Sequence, residues 1–279
     1  MLESFSYAIK KELSEINNLA RKDEVKYELL GYLSSDNTAV EKTKIRYSTE
    51  SQYNINRFAK LLRNVDINSF DIEIQGKIYI ITLKVKDIEN ISFDNDLDEL
   101  SEENIKAYIR GIFLGAGSIN NPNNKYHLEI KLLENENNIA RALKKHDINV
   151  KTMDKSIYIK DGEEISKFLA FIGATKSMLE FEQIRVQRDM NNKINRLVNC
   201  KTANLTKTIN ASIEQVNAIK KLKETGKFNK MDINLKELAE CRLENPDMPL
   251  SELGKLLSKP IGKSGVNYRM KKIIELSKD

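Results

Sequence analysis

Residues 250–276 read LSELGKLLSKPIGKSGVNYRMKKIIEL. Four leucines recur at helical spacing and predict a supporting helix; they are Leu250, Leu253, Leu256 and Leu257. The tetrapeptide Lys-Pro-Ile-Gly at 259–262 predicts a turn, because proline fixes one backbone torsion and glycine permits a positive one. Ser264 is placed to cap a second helix, whose Val266, Met270 and Ile273 form an apolar stripe. The pattern predicts a helix-turn-helix motif at about 249–279.

The outward faces of the second helix carry amide, hydroxyl and cationic groups, which suit base edges and phosphates in a DNA major groove. Its predicted DNA-contacting residues are Lys263, Ser264, Asn267, Tyr268, Arg269, Lys271 and Lys272. Lys255 and Lys259 precede the helix and are predicted to neutralise phosphates. A purely structural three-helix bundle is the alternative, and the outward charge favours DNA binding over it.

A second basic stretch lies upstream of this motif. The net charge of the chain is +5, and residues 183–210 hold six cations against the single acid Asp189. A solvated helix face is the ordinary explanation of one basic run, but two such runs in sequence favour nucleic acid. We therefore expect an extended DNA contact from Arg185, Arg188, Lys193 and Arg196.

The N-terminal part of the chain runs twice through one order of elements. The first copy is predicted as a helix, a strand, a helix and a hairpin, at 22–34, 43–49, 51–64, 70–75 and 78–85. The second copy is predicted at 103–114, 126–133, 136–145, 150–153 and 156–160, closed by a helix at 163–172. This repeat predicts an internally duplicated α+β domain, followed by an all-α domain.

The predicted domain boundaries follow the charge pattern. Eight acidic residues and no Lys or Arg occupy 87–103, which predicts a hydrated acidic connector at 88–103. The two halves of the duplicated domain are then 1–87 and 104–182. A basic linker or helix follows at 183–212, and the helix-turn-helix domain is 213–279.

Several function classes lack the residues they need. Two cysteines without CxxC spacing argue against a disulfide framework and a thiolate zinc site, and two histidines are few for an imidazole metal centre. We predict no catalytic residue, metal or cofactor. No stretch approaches the roughly 18 apolar residues of a membrane span, and no signal peptide is recognisable, so we expect a cytoplasmic, nucleoid-associated protein with no membrane partner.

Several segments resemble the WhiA family. The most specific are NNKINRLVNC at 191–200, TANL at 202–205 and Lys207-Thr208. RGIFL at 110–114, YHLEI at 126–130 and KSGVNYR at 263–269 are similar to the same family, so the resemblance covers nearly the whole chain. WhiA proteins are bacterial regulators of cell division, chromosome segregation and, in spore formers, sporulation. The resemblance implies a LAGLIDADG homing-endonuclease-like domain followed by a sigma-factor-like helix-turn-helix.

The nuclease motif implied by this resemblance is degenerate. Aligning 109–117 with the nine-residue motif puts Ala116 at the position of the metal-binding acid, whereas the first copy at 29–37 keeps Asp36. One carboxylate does not replace two in a metal-assisted phosphodiester cleavage, so we predict that the chain is not an enzyme. The predicted function is sequence-specific binding of double-stranded DNA in transcriptional regulation, with other regulatory proteins as further partners.

Two alternatives stay open from the sequence. In one, the N-terminal domain binds a protein or a small ligand, and DNA contact is secondary. In the other, which Asp36 and the scaffold suggest, a residual metal-dependent endonuclease survives on an unusual site.

Overall fold

The computed structural model describes residues 4–88, 91 and 97–278. The chain divides into two compact units, Met1–Asp189 and Met190–Asp279. Three acids of the predicted connector, Glu89, Asp94 and Asp96, lie outside the described residues.

The described part of the first half of the N-terminal unit has three α-helices, a four-stranded antiparallel sheet and a short 3-10 helix at Val85–Asp87. Its elements are α1 (Phe5–Ser14), α2 (Lys22–Leu33), β1 (Thr38–Val40), β2 (Lys44–Thr49), α3 (Gln52–Asn64), β3 (Phe70–Gln75) and β4 (Ile78–Lys84). The strand order is β1-β2-β4-β3. Ser51 fixes the start of α3, because its hydroxyl accepts a hydrogen bond from the Asn54 backbone N–H at 3.3 Å.

The second half repeats this arrangement. Its elements are α4 (Glu102–Ala116), β5 (Gly117–Ile119), β6 (Leu128–Lys131), α5 (Glu136–Lys145), β7 (Lys151–Met153), β8 (Ser156–Ile159) and α6 (Gly162–Phe171). The strand order β5-β6-β8-β7 matches that of the first sheet. The predicted duplication is therefore confirmed. The sequence pattern missed β1 and β5, because a strand of three residues is too short to show an alternating period.

Each sheet buries one face against helices. In the first sheet Ile45, Tyr47, Ile81 and Leu83 alternate with more exposed residues and are buried. In the second sheet the same positions are taken by Leu128, Ile130, Ile157 and Ile159. Both sets belong to one hydrophobic cluster of the unit.

Helices α2 and α4 pack against each other so closely that their backbones touch. A Cβ atom on Gly111 would lie 2.0 Å from the Glu28 carbonyl oxygen, and one on Gly31 would lie 2.2 Å from that of Tyr108. One turn later, a Cβ on Gly115 would lie 2.3 Å from the Ser35 hydroxyl oxygen. These glycines permit a backbone contact that no larger residue allows. The two copies of the degenerate motif therefore meet in register.

A buried charge cluster lies beside this helix contact. The carboxylate of Glu28 accepts hydrogen bonds from Arg57 Nε at 2.7 Å, Arg57 Nη2 at 2.9 Å and Arg110 Nε at 3.0 Å. Asn18 Nδ2 donates to the same carboxylate at 3.2 Å. Burial alone raises the pKa of Glu28, but the positive charges of Arg110 and Arg57 outweigh it and hold this pKa below its ordinary value.

The end of the acidic connector is packed and not merely hydrated, so that part of the prediction was wrong. Residues Leu97–Glu99 form a short 3-10 helix in which Leu97 is buried. The Asp98 carboxylate pairs with Arg141 Nε at 2.8 Å and Lys145 Nζ at 2.9 Å on α5. Glu102 and Glu103 lie in the first turn of α4, where the positive end of the helix dipole stabilises a negative charge. The burial of Leu97 therefore fixes the end of this acidic segment against the domain.

Helical elements make up the rest of the chain. They are α7 (Thr175–Glu224), α8 (Ile233–Glu244), α9 (Leu250–Leu253) and α10 (Lys263–Lys278), with a short 3-10 helix at Lys227–Lys230. The basic stretch predicted as a linker or helix at 183–212 lies inside α7, a single helix of 50 residues that contains the boundary between the units. None of the helices within the described part of the chain is both long and apolar enough to cross a membrane.

The glycine contact between α2 and α4 can be tested by adding one methyl group. We expect Gly111→Ala to destabilise the chain by about 3 kcal/mol or more, because the new Cβ would overlap backbone atoms of α2 that cannot move aside. The control is Gly262→Ala, whose Cβ would meet nothing within 4 Å. Urea unfolding followed by circular dichroism measures both, and equal stabilities would contradict the backbone contact.

The buried cluster predicts a pH-dependent stability. Because the folded-state pKa of Glu28 lies below its usual 4.5, the stability it contributes is present above pH 4.5 and is lost as the pH falls through the folded-state pKa. Glu28→Gln leaves buried Arg57 without a carboxylate and Arg110 with only the longer pair to Glu24 at 3.9 Å, and we expect a cost of roughly 3 to 5 kcal/mol at pH 7. The variant should also lose stability less steeply than the wild type below pH 4.5. Exposed Glu50→Gln is the control, and a similar profile for Glu28→Gln and wild type would refute the cluster's role.

Candidate nucleic-acid interface

Helices α8, α9 and α10 form the helix-turn-helix of the C-terminal unit. The turn after α9 closes on Gly254, whose carbonyl oxygen accepts a hydrogen bond from the Ile261 backbone N–H at 3.0 Å. A Cβ on Gly254 would lie 2.2 Å from the Ile261 carbonyl oxygen. Glycine is thus required where the supporting helix ends and the chain turns towards α10.

The sequence pattern misplaced two boundaries here. The predicted supporting helix extended to Leu257, but α9 ends at Leu253, because the chain folds back on Gly254. Leu257 is buried but Leu256 is 55% exposed, so not every leucine of the predicted helix packs into the core. Ser264 was predicted to cap the last helix, yet α10 already begins at Lys263, and the Gly262 carbonyl accepts from the Val266 backbone N–H at 3.1 Å.

The predicted apolar stripe of α10 is confirmed. Val266, Met270 and Ile273 are buried in the core of the C-terminal unit, together with Leu238 of α8 and Leu253 of α9. Because these side chains fix the rotation of α10, its opposite face is presented to solvent.

The solvent face of α10 carries most of the predicted contact residues. Six of them are exposed, namely Lys263, Ser264, Asn267, Tyr268, Lys271 and Lys272. Tyr268 is 62% exposed, and Lys272 Nζ lies 5.4 Å from the centre of its ring. Glu275 follows Lys271 by one turn and is also exposed, so an acid separates the cations of the first three turns of α10 from Lys278 in its last turn.

Arg269 differs from the other predicted contact residues. It is half-buried, and its Nη1 has no hydrogen-bond partner. Hydrogen bonds from Asn234 lower the pKa of the Asp232 carboxyl, and the positive charge of Arg269 lowers it further. The Ser258 backbone N–H and, less strongly, Arg269 do the same for the pKa of Glu237. The guanidinium of Arg269 is therefore close to two acids of α8 and its cap.

The two lysines before α10 are both exposed. Lys255 and Lys259 lie in the segment between α9 and α10. This segment is anchored to α8, because the Glu237 carboxylate accepts a hydrogen bond from the Ser258 backbone N–H. Lys259 is thus held next to a fixed point of the backbone.

The four predicted contact residues of α7 fall into two classes. Arg185 Nη2 pairs with Glu182 at 2.8 Å, and the Arg188 guanidinium lies 4.4 Å from the centre of the Tyr126 ring and donates to the Pro122 carbonyl. Lys193 and Arg196, in contrast, are exposed within 191–210, a segment of α7 that is exposed on every face. The most specific of the segments that resemble the WhiA family, at 191–200, 202–205 and 207–208, lie in this stretch.

The two residues predicted to be degenerate nuclease positions come directly after the close contact between α2 and α4 along the chain. Asp36 is an exposed turn residue after α2, and its backbone N–H donates to the Lys131 carbonyl at 3.2 Å. Ala116 is the last residue of α4. Among residues 4–88, 91 and 97–278, no three His, Cys, Asp or Glu side chains are grouped so that they could hold a metal ion.

Arg242 is a buried residue of this unit that no pattern in the sequence singles out. Its Nη1 donates to the carbonyl oxygens of Asn245, Pro246 and Met248 at 3.3, 3.1 and 2.7 Å. These bonds hold the loop that connects α8 to α9. Its burial depends on tertiary packing, and an arginine in a helical sequence carries no local sign of it.

Comparisons with known proteins agree with this architecture. Residues 105–191 match the family model of the WhiA LAGLIDADG-like domain, and residues 194–277 match that of the WhiA C-terminal HTH domain. The "Probable cell division protein WhiA" of Thermoanaerobacter sp. (strain X514) is 44% identical over 213 residues, which cover 74% of this chain and 67% of that protein.

Two crystal structures are similar as well. Full-length DUF199/WhiA from T. maritima is 29% identical with a TM-score of 0.64, covering 99% of this chain and 98% of that chain. The N-terminal LAGLIDADG domain of DUF199/WhiA is 26% identical with a TM-score of 0.55, covering 66% of this chain and 98% of that chain. The chain therefore belongs to the WhiA family, with a LAGLIDADG-like domain followed by a helix-turn-helix domain.

Proposed function

We propose that the chain binds double-stranded DNA sequence-specifically and regulates transcription of genes for cell division and chromosome segregation, and for sporulation in spore formers. The observation that carries the proposal is the solvent face of α10, which presents amide, hydroxyl and cationic groups from a helix fixed by its buried stripe. A helix of this kind fits the major groove, where polar side chains distinguish base pairs.

The exposed residues divide by chemistry into two roles. Ser264 and Asn267 hydrogen-bond base edges, because hydroxyl and amide groups both donate and accept. The lysines neutralise phosphates, and these are Lys255, Lys259, Lys263, Lys271 and Lys272. Tyr268 presents an exposed aromatic ring between them.

Arg269 has a different part in this proposal. Because Arg269 lies near Asp232 and Glu237, it helps to orient α10 against α8. In this position its guanidinium can still reach a phosphate or a base.

In α7, Lys193 and Arg196 are exposed and can extend the DNA contact. Arg185 and Arg188 are already engaged with Glu182 and Tyr126, so they add less.

The LAGLIDADG-like domain serves this function without cleaving DNA. Ala116 has no carboxylate where the motif needs an acid, and Asp36 alone does not supply the pair that a metal-assisted cleavage requires. The glycines at the helix contact explain why the motif persists as packing. We propose that this domain is a protein-binding module through which other regulatory proteins act on the DNA-binding unit.

Asn267 provides the test of sequence-specific binding. A DNA duplex is first selected from random sequence by the full-length chain, and its affinity is compared with that of point-mutated duplexes by fluorescence anisotropy. We expect Asn267→Ala to lose about 1 to 3 kcal/mol of discrimination at one base pair, because an amide reads base edges there. The control is Asn217→Ala, an exposed amide of α7. Selection without a consensus, or full discrimination by Asn267→Ala, would contradict the proposal.

Lys271 tests the proposed phosphate contacts. The logarithm of the binding constant should fall linearly with the logarithm of salt concentration, and Lys271→Ala should reduce that slope by about 1, because one fewer counterion is released. Lys60→Ala removes the same charge from an exposed position of α3 and should leave the slope unchanged. If both variants behave as the wild type, DNA does not contact this face of α10.

A further inference from the structure

The C-terminal unit contains a cationic cavity that the proposed DNA interface does not explain. Its volume is about 240 Å³, and Lys207 of α7, Arg242 of α8 and Lys263 of α10 all line it. None of the described residues that line it is acidic. Three helices thus bring positive charge to one half-open cavity, whose described lining has no carboxylate to balance it.

Arg242 is the strongest indication that an anion belongs there. The residue is only 2% exposed, and its Nε has no hydrogen-bond partner. Within the described part of the chain no carboxylate forms an ion pair with it, and Nη1 is satisfied by carbonyl oxygens alone. A buried guanidinium is costly unless an anion compensates it, and burial accordingly lowers the pKa of Arg242.

Gln215 indicates which anion fits. It also lines the cavity, is 5% exposed, and its Oε1 has no hydrogen-bond partner. A buried amide oxygen needs a donor. Inorganic phosphate and phosphate monoesters, whose second pKa is about 6 to 7, still carry a hydroxyl proton part of the time at neutral pH. Sulfate and the phosphodiesters of DNA carry none.

We propose that this cavity binds a free phosphate group, either inorganic phosphate or the monoester of a small molecule. Lys207, Lys263 and Arg242 compensate the charge of the phosphate, and Gln215 Oε1 accepts a hydrogen bond from its hydroxyl group. The cavity is several times the roughly 30 Å³ that one water occupies, and Ala211 and Leu250 provide an apolar part of the wall. A small organic group therefore fits beside the phosphate.

Phosphate in the cavity would weaken DNA binding. Lys263 begins α10 and is also assigned to a DNA phosphate above, so one cation serves both ligands. Two ligands that compete for the same charge lower each other's affinity by the same factor. This consequence rests on the proposed function, whereas the phosphate site itself does not.

Calorimetric titration of the full-length chain with inorganic phosphate, in the absence of DNA, tests the site. Sulfate at matched ionic strength is the comparison ligand. We expect saturable phosphate binding, and at least about tenfold weaker binding of sulfate, because a buried acceptor left without its donor costs more than about 1.4 kcal/mol.

Two variants locate the binding. Ala211→Leu fills the cavity from an exposed position of α7, and Lys207→Ala removes one of its cations. Each variant should weaken phosphate binding at least about tenfold. The first takes away space, and the second takes away a charge-assisted contact worth about 1.4 kcal/mol or more. Lys201→Ala, on the same helix but outside the cavity, is the control.

Three results would overturn the proposal. They are the absence of saturable phosphate binding, equal affinity for sulfate, and phosphate binding that Ala211→Leu leaves unchanged. If the wild type binds no phosphate but Ala211→Leu loses DNA affinity, the cavity takes a phosphodiester of the DNA instead. Because the titration contains no DNA, its outcome does not depend on the proposed function.

Discussion

The backbone contact between α2 and α4 is the constraint on which the N-terminal unit depends. Gly31 and Gly111 bring the two helices so close that a single Cβ would lie 2.2 or 2.0 Å from a carbonyl oxygen of the partner helix. Each sheet packs against this helix pair, and Glu28 is enclosed beside it with Arg57 and Arg110. The contact requires small residues but no carboxylates. The packing role of these glycines is therefore independent of the acid that the motif was predicted to lack at Ala116.

The sequence predicted those parts of the fold that have a local signal. The order of the longer helices and strands in each copy, the duplication and the apolar stripe of α10 all follow from periodicity, and the structure confirms them. The three-residue strands β1 and β5 are too short to show an alternating pattern. The 50-residue length of α7 could not be predicted either, because its central part buries no face and therefore has no apolar stripe. The end of α9 depends on a close approach of Ile261 to Gly254, and the burial of Arg242 depends on tertiary packing. Such features arise from contacts distant in sequence, which no window of residues contains.

Some cations in the described part of the chain are paired with carboxylates, whereas others project unpaired into solvent, and their total number does not distinguish the two. Arg57 and Arg110 are paired inside the N-terminal unit with Glu28, Arg110 also lies 3.9 Å from Glu24, and Arg185 is paired on the surface with Glu182. The lysines of α10 project into solvent from a helix whose rotation is fixed. A net charge of +5 is therefore a poor guide to binding, and the position of the uncompensated cations is a better one. This distribution is why α10 carries the proposed DNA contact.

Photo-crosslinking from the full-length chain tests most directly whether DNA meets α10. A photoreactive phenylalanine derivative replaces Tyr268 on the solvent face of α10 in one variant and Tyr158 on β8, away from the buried face of the second sheet, in another. The account predicts crosslinks to a selected duplex from position 268 and none from position 158. Crosslinks from position 158 alone would place DNA on the LAGLIDADG-like domain and contradict the assignment of the helix-turn-helix as the DNA-binding element.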